Sequence, residues 1–231
     1  MWIKICGLND PATARAIAAL HPDAIGLNFY EKSVRRVTQE LARQIVDDLP
    51  DAVQPVGVFV DPTIDTVAQT ADRCRLEGVQ IHSSGLEDCF SKFNETRAGL
   101  KRVRAFQVGT PDLKNLAAYF NRNRHFSPPV DAYLVDAYSE SLFGGTGKIV
   151  SWDLLRNEYR KQEWPPLILA GGLRPENVGE AIEAVRPWGV DVASGVESAP
   201  GVKDVALVER FIDEARRAFA RIAANSNPVS P

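Results

Sequence analysis

Three features of the sequence predict an α/β fold, a single (β/α)8 barrel of eight parallel strands. Eight short apolar runs recur along the 231 residues, and a short continuous apolar run reads as a strand buried on both faces. Segments with helix-start signals separate the runs, and that alternation implies parallel pairing through right-handed crossovers. After the first run stands Cys6-Gly7-Leu8-Asn9 rather than GxGxxG, which disfavours the open doubly wound sheet.

Residues 2–7 form the first expected strand, ending at Gly7. Asp10 then caps a helix, with Pro11 in its first turn, to about residue 20. Strand two spans 24–29 and helix two 38–49; strand three spans 55–60. Asp61-Pro62 repeats the cap-plus-proline signal for a helix to about 75. Strand four is 79–82, with a helix after Gly85; strand five lies within 100–108. Thr110-Pro111 caps a helix to about 120, and strand six is 130–136. A long loop, 137–148, precedes a helix at 152–159. Strand seven, Leu167-Ile168-Leu169-Ala170, stops at Gly171-Gly172, and a helix opens at Pro175. Strand eight, Val190-Asp191-Val192-Ala193, stops at Ser194-Gly195. The last helix covers 202–224, so the barrel is expected over 1–224 and a frayed polar tail over 225–231.

The composition narrows the function. Net charge is −3 and the pI about 5.7, so no general attraction to nucleic acid is expected. No apolar run is long enough for a bilayer, and Lys4 and Asp10 interrupt any signal-peptide pattern. Cys6, Cys74 and Cys89 make no CxxC pair, so a reducing, cytoplasmic setting without disulfides is expected. His21, His82 and His125 lack metal-ligand spacing, so no metal is expected. The expected partner is a small molecule, and the chain is expected to be a monomer or homodimer.

Barrel chemistry sits at the C-terminal ends of the strands. Two consecutive apolar strands that end in small residues, at Gly171-Gly172 and Ser194-Gly195, suit a phosphate held on backbone amides. Gly144-Gly145-Thr146-Gly147 in the long loop can wrap an anion, though its spacing is not that of a P-loop. Cys6 ends strand one and is either a small buried hydrophobe or a base or nucleophile. Asp136 ends strand six and is either a cap or a general acid facing the same mouth. Arg35 and Arg36 follow strand two and compete to clamp a carboxylate. His82, ending strand four, reads as a structural hydrogen-bonder. Lys4 lies two residues before Cys6 and so on the same side of the strand. A buried lysine needs a partner, and strand eight, beside strand one in a closed barrel, offers Asp191; an ion pair is expected there.

Several segments together resemble the phosphoribosylanthranilate isomerase family. They are Lys4-Ile-Cys-Gly-Leu8, Gly26-Leu-Asn-Phe-Tyr30 with Ser33 and Arg35, Val56-Gly-Val-Phe-Val60, Val79-Gln-Ile-His82 and Leu134-Val-Asp136. Further along come Gly144-Gly-Thr-Gly-Lys148, Leu169-Ala-Gly-Gly-Leu173, and the stretch from Gly189 to Glu197 with Pro200, Gly201, Lys203 and Asp204. Ser151, Ser83-Ser84 and Ala193 depart from the usual pattern without replacing a catalytic group. The resemblance implies a cofactor-independent Amadori rearrangement in tryptophan biosynthesis. It implies Asp136 as general acid, Cys6 as general base, Arg35 as the residue that holds the anthranilate carboxylate, and the glycine turns as the phosphate site. The chemistry asks for a raised carboxyl pKa at Asp136 and a lowered thiol pKa at Cys6. Other phosphosugar barrels fit less well. Indole-3-glycerol-phosphate synthase wants catalytic lysine and glutamates on its strands, the histidine-pathway isomerase wants an aspartate where Cys6 stands, and a metal-dependent epimerase wants histidines at several strand ends. A barrel that binds a phosphorylated ligand without turnover is the non-enzymatic alternative.

Overall fold

The computed structural model describes residues 1–83, 99–107, 117–118, 121, 130–136 and 152–226. Eight parallel strands close into a barrel in chain order: β1 (Ile3–Cys6), β2 (Ala24–Asn28), β3 (Gln54–Val60), β4 (Gly78–His82), β5 (Lys101–Gln107), β6 (Ala132–Asp136), β7 (Leu167–Ala170) and β8 (Gly189–Val192). Closure is made by β1, which pairs with β2 on one side and β8 on the other. The described helices are α1 (Pro11–Ala18), α2 (Gln39–Asp47), α3 (Ile64–Cys74), α4 (Trp152–Glu158), α5 (Val178–Val185) and α6 (Val205–Ser226). The helices expected after Gly85 and at Thr110-Pro111, the loop 137–148 with Gly147, and residues 227–231 of the expected tail lie wholly or largely outside the described residues.

The side chains divide into two apolar clusters. One joins outward strand residues such as Ile3, Ile5 and Leu27 to helix residues such as Ile17, Val67, Ile182 and Phe211. The other, Trp2, Ala24, Val56, Val103, Ala105, Ala132, Leu134, Ile168 and Ala170, contains no helix residue and fills the barrel interior. Register extends that inner set. Lys4 pairs with Ala24 and Asp191, Cys6 with Gly26, and Asp136 with Ala170. Residues paired across strands share a face, and alternate residues return to it. Cys6 and Asp136 therefore lie on the interior face, each at the C-terminal end of its strand.

Local chemistry sets the helix starts. Asp10 Oδ2 accepts from the Thr13 amide at 2.7 Å, and Thr38 Oγ1 accepts from the Leu41 amide at 3.2 Å. Three starts differ from expectation. Thr63, not Asp61, caps α3, accepting from the Thr66 amide at 3.2 Å, while Asp61 turns the chain at φ 43°. Helix α5 opens at Val178, three residues after Pro175, and its N-cap Asn177 makes no side-chain capping hydrogen bond. Helix α6 opens at Val205 because Val202–Lys203 (β10) pairs antiparallel with Glu197–Ala199 (β9). Asp204 Oδ1 then accepts from the amides of Ala206 and Leu207.

Candidate active site

Strand β1 carries Cys6 into a space cut to its size. A Cβ at Gly26, its neighbour in register, would stand 2.7 Å from Cys6 Sγ and 3.0 Å from Cys6 Cα. Gly7 follows at φ 82°, and a Cβ there would meet Arg35 Cδ at 2.5 Å. The Arg35 side chain therefore lies directly over the residue next to Cys6. Its loop is folded back by Asn28 at the end of β2. Asn28 Oδ1 accepts from the Tyr30 amide and Asn28 Nδ2 donates to Ser33 Oγ, which in turn accepts from the Arg35 amide at 3.1 Å. Arg36 is exposed and lines an outer cleft of about 660 Å³ with Phe29, Phe59 and Thr70. That cleft touches neither Cys6 nor Asp136 nor the glycine turns.

Beneath Cys6 the expected ion pair is present. Lys4 Nζ lies 2.7 Å from Asp191 Oδ1, with side-chain exposures of 0% and 8%. Burial would lower the Lys4 pKa, but Asp191 and Cys6 beside it hold the ammonium above its ordinary value. The thiol does not behave as the chemistry asked. Burial pushes Cys6 up, and Asp191 adds to this; Lys4 and Lys203 pull it down without offsetting the burial. His82, also on the inner face, is pushed down to about 4 by burial, with Lys4 and Arg104 contributing. Its Nε2 lies 2.8 Å from Gln80 Nε2. The hydrogen bond and the lowered pKa agree on a neutral imidazole held in place.

The two glycine turns come together. Gly171 and Gly172 follow β7 at φ 87° and 62°, a region glycine enters without strain. Asn177 pins them: its Nδ2 donates to the Gly172 carbonyl at 3.0 Å and its Oδ1 accepts from the Arg174 amide at 2.9 Å. After β8, Ser194–Val196 makes one 3-10 turn. A Cβ at Gly195 would stand 1.8 Å from the Leu173 carbonyl oxygen, so this turn rests on the chain leaving Gly172.

Two residues given no role by the sequence complete the cluster. Arg35 donates to Glu197 through Nε and Nη2, both at 2.7 Å. Glu197 also accepts from Lys203 Nζ at 2.6 Å and from the Gly201 amide at 3.1 Å. Lys203 Nζ donates to the Ala193 carbonyl at 2.8 Å. Burial opposes the charge on Glu197, but Arg35 and Lys203 hold its carboxyl below the ordinary value; burial keeps Lys203 below its own despite Glu197. The sequence signal was there: opposite charges facing each other across the Pro200-Gly201 turn. Asp136 stands at the rim on β6, and Gly147 lies outside the described residues. Among the described residues, no group of three or more His, Cys, Asp or Glu side chains is arranged to hold a metal, and no helix is long and apolar enough to cross a membrane.

Known proteins share this sequence and this barrel. The family model for N-(5'-phosphoribosyl)anthranilate isomerase matches residues 3–214. The isomerase of Geotalea uraniireducens is 42% identical over 214 residues, covering 93% of this chain and 98% of that protein. The crystal structure of the Thermotoga maritima enzyme is 32% identical, with a TM-score of 0.79, over 94% of this chain and 99% of that one. A structure of such an isomerase in complex with reduced 1-(o-carboxyphenylamino)-1-deoxyribulose 5-phosphate is 32% identical with a TM-score of 0.77, over 94% and 99%. With the matched region running from the first strand into the last helix, this chain belongs to the N-(5'-phosphoribosyl)anthranilate isomerase family of enzymes.

Proposed function

We propose that the chain converts N-(5-phosphoribosyl)anthranilate to 1-(2-carboxyphenylamino)-1-deoxyribulose 5-phosphate in tryptophan biosynthesis, in the cytoplasm. Asp136 is the general acid, Cys6 the general base, Arg35 the carboxylate ligand. Gly147, Gly171, Gly172, Ser194 and Gly195 form the phosphate cradle. The observation that carries this reading is the placement of Cys6 and Asp136 on one interior face at the tips of β1 and β6, in a chain of this family.

Protonated Asp136 gives its proton to the ribose ring oxygen, the C1–O bond breaks, and nitrogen supplies the electrons for a protonated Schiff base. The C2 proton, now acidic, passes to the Cys6 thiolate and leaves an enolamine. Protonation at C1 and loss of the enol proton give the ketone, so the reaction neither gains nor loses atoms. The Lys4 ammonium beside Cys6 favours the thiolate. Incubating the purified chain with N-(5-phosphoribosyl)anthranilate tests the reading: the ketose product is expected, and tight binding without product would favour a non-catalytic barrel.

A further inference from the structure

Arg35 meets the Glu197 carboxylate as a planar fork, Nε to Oε1 and Nη2 to Oε2, across a sequence separation of 162. The side chains are 19% and 4% exposed. Such an arrangement fixes the plane of a guanidinium that otherwise has considerable rotamer freedom. It occupies one edge of the guanidinium and leaves the Nη1–Nη2 edge with donors for a second carboxylate. Glu197 itself is held from three directions, by Arg35, by Lys203 and by the Gly201 amide. Lys203 in turn grips the Ala193 carbonyl, the residue immediately before Ser194-Gly195. One carboxylate thus links the arginine beside Cys6 to the turn beside the expected phosphate.

We propose that Glu197 is a positioning residue, which orients Arg35 toward the substrate's carboxylate and keeps that arginine in register with the phosphate turn. The proposal rests on the isomerase reading. It makes an unusual electrostatic prediction. Arg35, Lys203 and Glu197 carry formal charges of +1, +1 and −1, a net +1. Replacing Glu197 by Gln raises the net to +2. If Arg35 attracts its ligand by charge alone, Glu197→Gln tightens the binding of an anion. If orientation decides, the same change weakens it.

Titration of the full chain separates the two, using reduced 1-(o-carboxyphenylamino)-1-deoxyribulose 5-phosphate and the phenylamino analogue that lacks the carboxylate. For Glu197→Gln the expected result is about tenfold weaker binding of the carboxylated ligand and less than about twofold change for the analogue, with the turnover loss falling on KM rather than kcat. Equal losses for both ligands, or tighter binding of the carboxylated one, overturn the proposal. Should Glu197→Gln fail to fold, Glu197→Asp keeps the charge but shortens the reach to both guanidinium nitrogens. The same selective loss is then expected, and equal losses again overturn the proposal. Turnover by the unmodified chain is measured alongside. Its absence defeats the isomerase reading, while the difference between the two ligands still decides the role of Glu197.

Discussion

Cys6 stands between opposing influences: burial and Asp191 favour the thiol, Lys4 and Lys203 favour the thiolate. Burial prevails, so the thiol titrates above its ordinary value of 9.0. A base with a raised pKa is still gaining its active form at neutral pH, so kcat/KM is expected to rise across roughly pH 7 to 9. Lys4→Met should move that rise to higher pH. A profile flat over this range would mean that Cys6 is not the titrating base. His82 carries the opposite pH signature. Its folded pKa, about 4, lies below the ordinary 6.5, so between those values the unfolded chain binds more protons. Stability is therefore expected to fall as pH drops from about 6.5 toward 4, by about 3 kcal/mol if His82 acts alone. Urea midpoints for the wild type and His82→Gln check this: the acid sensitivity should shrink in the variant. At Gly26, alanine would push against Cys6 Sγ and Cα. Destabilisation of about 1–3 kcal/mol, with impaired turnover, is expected and is read by thermal melting and assay.

The element that does most to assemble the site is the short segment after β8. Its 3-10 turn rests on the Leu173 carbonyl through Gly195, and its hairpin carries Glu197 and Lys203. Gly195→Ala puts a methyl group 1.8 Å from backbone oxygen. The turn must then move, and affinity for inorganic phosphate should drop together with about 2–3 kcal/mol of stability. Unchanged phosphate affinity would remove this turn from the anion site. The hairpin also marks where reading from sequence stopped short. A proline-glycine turn at 200–201 announces a reversal, yet two strands of 3 and 2 residues are too short to show any alternation. Asp61 misled for a related reason: Asp-Pro looks like a cap, but the chain needed one more turn, and Thr63 supplied the hydroxyl. Asn177 likewise spends its side chain on the glycine turn instead of on the helix.

At the scale of the molecule, closure of the sheet explains what the sequence could and could not foretell. Knowing that β8 returns beside β1 places Lys4 next to Asp191, so their contact follows from topology plus the rule that buried charges pair. Arg35 sits on a loop, and Glu197 in the β9–β10 hairpin, whose register ties it to Lys203 and not to Arg35, so their partnership is visible only in three dimensions. The buried pair has a testable cost. Lys4→Met strands the Asp191 carboxylate in the barrel and should destabilise by about 3–5 kcal/mol, with Lys4→Met/Asp191→Asn recovering part of it, as denaturant unfolding would show. The central claim is that one thiol and one carboxyl, set by the barrel at the tips of β1 and β6, perform the rearrangement. The direct measurement is turnover of N-(5-phosphoribosyl)anthranilate by Cys6→Ala and Asp136→Ala, with folding verified by circular dichroism. Loss of at least about a hundredfold in kcat is predicted for each, and wild-type turnover in either folded variant would contradict the account.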